Sequence, residues 1–220
     1  MCIRDRYKSL KARAEANEAF GAELKKGKKA DAQRGYEIAC KEWMDVRSFG
    51  QVFAFKGSDL SLGIRGPVSV QPAFSVDPID ITSMQITKSV NSEDKEGKSS
   101  DTMGMKHRVD FGVYILKGSI NVQLSEKTGF TEEDAEKIKE AIRTLFVNDS
   151  SSARPDGSMV MHKLYWWKHN CKIGQYSSHK VHNSIEIKKK EGVRNPRKIE
   201  DYEIICHELP GLAVEEYEGL

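Results

Sequence analysis

Only four cysteines occur in 220 residues, and no two of them form a C-x-x-C pair. Cys2, Cys40, Cys171 and Cys206 lie far apart, which argues against a disulfide scaffold and for reduced thiols in a cytoplasmic protein. No apolar run approaches membrane-spanning length and no signal peptide precedes the first helical pattern, so a membrane partner is not expected. An excess of one charge is also lacking: 35 basic residues face 33 acidic ones. The distribution says more than the total. Lys25, Lys26, Lys28 and Lys29 cluster, as do Lys188, Lys189 and Lys190, and Arg194, Arg197 and Lys198. Such runs serve as solvated faces or as contacts to a polyanion.

The catalytic loops of several enzyme classes are missing too. There is no G-x-S-x-G elbow, no G-x-x-x-x-G-K-[ST] phosphate loop and no G-x-G-x-x-G. The Ser177 to Lys180 spacing matches S-x-x-K, a pattern short enough to recur by chance. His162, His169, Cys171, His179 and His182 share one region, but without finger-like spacing, and they straddle a strand, a turn and a loop. No resident metal or cofactor is expected, but a nuclease can use a lone His or Asp, so the missing motifs leave catalysis open.

What remains is an α+β pattern. Residues 1–6 read as a non-native start. Tyr7 to about Lys26 is rich in helix formers, with Gly27 as its stop. Ala30 to Trp43 predicts a second helix. Val52 to Phe55, a turn at Lys56 to Asp59, and Leu60 to Arg65 predict a hairpin. Pro67, Pro72 and Pro78 exclude a continuous central strand over the following segment. Residues 66–107 are therefore expected to leave the core as a long β-hairpin, with a flexible tip at Asn91 to Ser100.

The chain returns in residues 108–220. Val109, Phe111, Val113 and Ile115 alternate as on one strand face. Thr131 and Asp134 fit a capping box opening a helix whose apolar stripe runs to Phe146. Val160 to Lys168 and Ser184 to Lys188 predict strands, with Tyr202 to Cys206 as the last. At least one of Tyr165, Trp166 and Trp167 is expected in the core. This order fits a ferredoxin-like α+β sandwich, a fold shared by many RNA-binding modules, with its first strand missing.

Two stretches carry candidate chemistry. In Asp45-Val-Arg-Ser-Phe-Gly50, Arg47 and the Ser48 hydroxyl could reach a phosphate while Gly50 permits close backbone approach. The alternative is an Asp45–Arg47 surface pair beside a turn glycine. In Met103-Gly-Met-Lys-His-Arg108, Lys106 and Arg108 offer charge, and Met103 and Met105 offer adaptable apolar contact suited to wedging against bases. The alternative there is a hairpin base with its methionines packed inward.

An ordered set of motifs resembles one family: Asp45-Val-Arg-Ser-Phe-Gly50, Gly63-Ile-Arg-Gly-Pro-Val68, Ile86-Thr-Lys-Ser-Val90, Met105-Lys-His-Arg-Val-Asp-Phe-Gly112 and Lys127-Thr-Gly-Phe-Thr131. Together they are similar to the backbone subunit of the type I-C CRISPR Cascade complex. The resemblance implies a modified RNA-recognition-motif palm with an inserted β-hairpin thumb, spanning residues 66–107. It implies copies polymerising along one CRISPR RNA and displaying bases for pairing with target DNA. The implied partners are the CRISPR RNA, further copies of the chain, an RNA-processing subunit, a large subunit, and target DNA through the guide. It suggests RNA contacts at Arg47, Ser48, Phe49, Gly50, Arg65, Lys88, Met103, Met105, Lys106, His107 and Arg108. Two other readings stay open: a CRISPR-repeat-processing endoribonuclease on the same fold, with His107 or His162 as base, and a general single-strand binder.

Overall fold

The structure is a computed structural model that describes residues 7–90 and 103–220. The expected non-native start and the hairpin tip lie outside the described residues. Helices and short antiparallel strands mix, and every sheet among the described residues has two strands. No helix there is long and apolar enough to cross a membrane. The chain divides into two compact units, one of Met1–Val70, Gly118–Ser178 and Glu208–Leu220, the other of Gln71–Lys117 and His179–His207.

The core of the first unit is built on four helices and one hairpin. The helix expected from Tyr7 to Lys26 is two, α1 (Leu10–Ala16) and α2 (Glu18–Lys25). Asn17 separates them because its side chain accepts the Phe20 amide at 2.9 Å and caps the second. Asp31 caps α3 (Ala32–Glu42) by accepting the amides of Gln33 and Arg34. A short helix, α4 (Met44–Phe49), runs directly into β1 (Gly50–Ala54), which pairs with β2 (Ser61–Arg65).

In β2, Leu62 and Ile64 are buried while Ser61, Gly63 and Arg65 are exposed, the alternation of a half-buried strand. They close over Phe20, Ala39, Val46 and Phe53. Phe20, Trp43 and Phe53 form an aromatic cluster with centroids 4.9–5.6 Å apart. Glu23 is buried in this unit, held by the Asp31 amide at 2.7 Å and Lys26 at 2.6 Å. Those two hydrogen bonds, Lys26 first, keep its carboxyl below the ordinary range.

The remaining elements of this unit follow in order. β3 (Val68–Val70) pairs with β8 (Gly118–Ile120). Next come α5 (Val122–Thr128), capped by Asn121, and α6 (Glu132–Arg143), which opens with the expected Thr131–Asp134 capping box. α6 ends three residues before Phe146, and Leu145 is exposed. β9 (Lys163–Trp167) pairs with β12 (Val214–Glu218), so Tyr202 to Cys206 is not the last strand. The sequence of β12, VEEYE, has no apolar alternation. It is held instead by charge, Glu216 and Glu218 on Lys163 and Glu215 on Lys139. Tyr165 and Trp167 stack on one face of β9 at 6.1 Å, and Lys139 sits 5.5 Å over Trp166 on the other. All three rings are half-buried rather than one in the core: β9 lies in a sheet of only two strands, and what covers Trp166 is the Lys139 side chain of α6.

The second unit holds β4 (Phe74–Ser75) paired with β7 (Tyr114–Ile115), β5 (Ile81–Thr87) with β6 (Met103–Val109), and β10 (Ile185–Lys189) with β11 (Tyr202–Cys206). A one-turn helix, α7 (Ser178–His182), precedes β10. The single strand expected over Val109 to Ile115 is two. The ladder stops at Val109 opposite Ile81 and resumes at Tyr114 opposite Ser75. The intervening partner segment contains Pro78, which has no N–H to give to a ladder.

Candidate nucleic-acid interface

The β5–β6 hairpin pairs seven residues on each side, from Ile81 opposite Val109 to Thr87 opposite Met103. The Met-x-Met-Lys-His-Arg cluster is therefore itself a strand, not the approach to one, and every residue of it is exposed. Met103 is 64% and Met105 56% exposed, so the methionines do not pack inward. Strand alternation divides the cluster. Met103, Met105 and His107 share a face with Thr87, Gln85 and Ser83; the Gln85 amide meets the Met103 sulfur, and Ser83 Oγ lies 2.8 Å from His107 Nδ1. Lys106 and Arg108 share the opposite face with Ile86, Met84 and Thr82. One face is thus soft and polar-apolar, the other cationic beside apolar side chains.

The hairpin base is closed by Asp110. Its carboxylate accepts Thr82 Oγ1 at 2.5 Å and Arg108 Nε at 2.9 Å. Those bonds, Thr82 first, hold its carboxyl below the usual range. Arg108 stays more than half exposed and available to a second anion. Lys88 is exposed just beyond the end of β5.

The other motif group lies in the first unit. Asp45 and Arg47 do not pair with each other. Asp45 takes a bidentate bond from Arg13 at 2.6 Å for both arms. Arg47 makes its own bidentate bond to Asp134, 2.8 Å from Nε and 2.7 Å from Nη2. That pairing raises the Arg47 pKa and lowers that of Asp134 against the opposing effect of burial. Arg47 therefore meets a carboxylate where a phosphate was expected. Ser48 is fully buried, and its Oγ has no partner among the described residues, so its hydroxyl does not face a surface ligand.

Phe49 and Arg65 are both exposed at the α4–β1 junction, where Gly50 pairs directly with Arg65. The junction is tight. A Cβ on Gly50 would lie 2.3 Å from the Ile64 carbonyl oxygen, and one on Gly66 2.2 Å from that of Ser48. The glycines of Asp45-Val-Arg-Ser-Phe-Gly50 and Gly63-Ile-Arg-Gly-Pro-Val68 thus let two backbones cross. The sequence-predicted residues fall into two groups: Arg47, Ser48, Phe49, Gly50 and Arg65 in the first unit, and Lys88, Met103, Met105, Lys106, His107 and Arg108 in the second. His162, the other candidate base, is exposed in the first unit. Among the described residues no three His, Cys, Asp or Glu side chains converge as a metal-holding group.

Sequence reasoning missed Asp134 as the partner of Arg47. Its only local signal was the capping box, which Asp134 also completes by accepting the Thr131 amide at 3.1 Å.

No curated protein matches the chain. One solved structure, a chain of a "CRISPR RNA-guided surveillance complex, pre-nicking", is 20% identical with a TM-score of 0.39. That likeness covers 64% of this chain, which spans only 39% of the matched one. The family model for CRISPR-associated protein Cas7 matches residues 3–207, nearly the whole sequence. By that match, the chain belongs to the Cas7 family of CRISPR-associated proteins.

Proposed function

We propose that the chain is a CRISPR RNA-binding backbone subunit of a Cascade surveillance complex, of the type I-C kind. Copies polymerise along the guide and present it for pairing with target DNA. The reading takes the first unit and the remaining strands as an RNA-recognition-type palm and the 66–107 excursion as the thumb. It assigns the chain a structural role and no catalysis. The other Cascade subunits and the target DNA are its further partners, in the cytoplasm.

The observation that carries this reading, beside family membership, is the β5–β6 hairpin. A two-stranded ribbon is marginal on its own in water. This one exposes Ile81, Met84, Ile86, Met103, Met105 and Val109 together with Lys106 and Arg108. Such a surface suits a partner that has both stacked apolar bases and an anionic backbone.

The split of the cluster onto two faces gives a test. In the purified complex, Lys106→Ala with Arg108→Ala should weaken guide retention and lower the log–log salt slope by about 1.4, for two single-strand phosphate contacts. Met103→Ala with Met105→Ala should weaken retention and leave that slope unchanged. Undiminished RNA retention by both double variants would remove the hairpin from the interface.

A further inference from the structure

The β10–β11 connection, residues 190–201, brings the second unit's basic residues together. From Lys188 to Lys198 the sequence is KKKEGVRNPRK, six cations and one acid, and all six cations are exposed. Most cations singled out in the fold already have a carboxylate, including Arg13, Lys26, Arg47, Lys139 and Lys163. Lys188 and Lys189 follow that habit, with Glu186 at 2.9 Å and Asp77 at 3.1 Å. The four cations beyond them do not. Lys190, Arg194, Arg197 and Lys198 make no ion pair within 4.0 Å among the described residues.

The loop is nevertheless well ordered by its backbone. The Lys190 amide donates to the Asp201 carbonyl at 2.9 Å, and Val193 N–H donates to the Lys190 carbonyl at 3.1 Å. Gly192, at φ 81°, occupies the turn position that needs a positive φ. The Asp201 carboxylate accepts the amides of Arg197 at 2.7 Å and Lys198 at 3.2 Å. The Asp201 carboxylate is thus engaged first by the main chain, which holds its pKa low with lesser help from the charges of Lys198 and Lys190. The result is a pinned loop with free cationic side chains, so less order is lost when an anion binds.

The loop is also joined to the base of the long hairpin. Tyr202 donates to Asp77 at 2.8 Å, and its ring lies 6.5 Å from that of Phe111. Arg197 is near enough to Asp110 to contribute to its low pKa, after Thr82 and Arg108. Asp110 thus bonds Arg108 at 2.9 Å and feels the charge of Arg197 from farther off, so the loop's cations lie near the hairpin base.

Resting on the function proposed above, we infer that Lys190, Arg194, Arg197 and Lys198 form a phosphodiester-binding surface that grips a nucleic-acid backbone without reading its sequence. The surface offers several separated cations and no aromatic platform, which suits phosphates rather than bases. The backbone can come from the guide RNA or from target DNA, and the two sources are separable by experiment.

The test uses the RNA-loaded complex with Lys190→Gln, Arg194→Gln, Arg197→Gln and Lys198→Gln combined. Guide retention and binding of target DNA are each measured against salt. The log–log slope is expected to fall by about 2.8–3.6 in one arm, for four phosphate contacts, and the arm that moves identifies the source. A control with Lys11→Gln, Lys137→Gln, Lys168→Gln and Lys172→Gln removes the same charge from lysines that already have carboxylate partners. It should leave both slopes in place. An unchanged slope in both arms, or an equal fall in the control, overturns the inference.

Arg194→Gln alone guards against misfolding, since its side chain bonds to nothing described. It should lower the slope by about 0.7–0.9 with an unchanged melting temperature. If the wild-type complex holds no guide, the backbone-subunit reading fails; the same slopes measured with free oligonucleotides on the isolated chain then test the surface separately.

Discussion

Arg47→Ala is expected to destabilise the protein by about 3–5 kcal/mol, the range for removing one partner of a buried ion pair. Asp134 is 1% exposed at its side chain and Arg47 20%. Arg47 also reaches the carbonyls of Cys40 and Lys41 at 3.4 and 3.3 Å, so it joins α6 to the end of α3. Without it the Asp134 carboxylate stays buried with only Thr131 to satisfy it. In a chain of this size the loss corresponds to a fall in Tm of roughly 6–20 °C. Arg47→Lys should recover little, because an ammonium cannot reproduce the two-armed bond.

The same pair sets an acid limit. The Asp134 pKa is lowered in the fold, first by the Arg47 hydrogen bond and against burial. A group depressed in the folded state stabilises above its unfolded value, about 3.9, and that contribution disappears as pH falls through the folded value. Wild-type Tm should therefore drop below about pH 4, and the Arg47→Ala variant should show a flatter profile there. Thermal melts between pH 2 and 7 decide the matter. A variant melting within about 2 °C of wild type at pH 7, well short of the expected shift, would show that the pair does not hold the helices.

The second large effect belongs to the backbone crossing. Gly50→Ala and Gly66→Ala should each cost about 3 kcal/mol or more, towards the exceptional end for single substitutions. The added Cβ at Gly50 meets the Ile64 carbonyl oxygen at 2.3 Å and the Gly66 nitrogen at 2.7 Å. At Gly66 it meets the Ser48 carbonyl oxygen at 2.2 Å and Phe49 carbonyl carbon at 2.5 Å. These are main-chain atoms, so no side chain can turn aside. Gly50 carries the further strain of φ 85°. The two sites share one crossing, so once the first Cβ has forced the strands apart the second should cost less. The double variant is thus expected to fall short of the sum.

Gly63→Ala, in the same motif, is the control, since nothing lies within 4 Å of its Cβ position. Its ΔΔG should stay within about 0.5 kcal/mol. Urea denaturation of the four variants measures all of this. Equal losses at Gly63 and Gly66 would mean that the motif is sensitive throughout rather than at the crossing.

The elements best predicted from the sequence were those with a local cause. Asp31 and Thr131 cap helices because their side chains reach amides two or three residues away. The β1–β2 hairpin is announced by its turn and by the alternation of Leu62 and Ile64. A long hairpin was expected over residues 66–107, and the structure pairs Ile81–Thr87 with Met103–Val109, two residues past that end. Elements held by distant charge were not legible. β12 has no apolar period to notice, and its partner β9 lies 47 residues earlier in register, Val214 opposite Trp167.

For the site, residue chemistry alone identified where the cations and methionines are concentrated, and the ordered motifs carried the family resemblance. Only the tertiary structure decided what each side chain meets. The start of β6 at Met103 sends Met105 and Lys106 to opposite faces, and Asp134, 87 residues from Arg47, takes up the guanidinium. The physical reason is range. Caps, turns and alternation act within a few residues and are written in adjacent letters. Ion pairing and register depend on which segments the packed core brings together, and no local period encodes that.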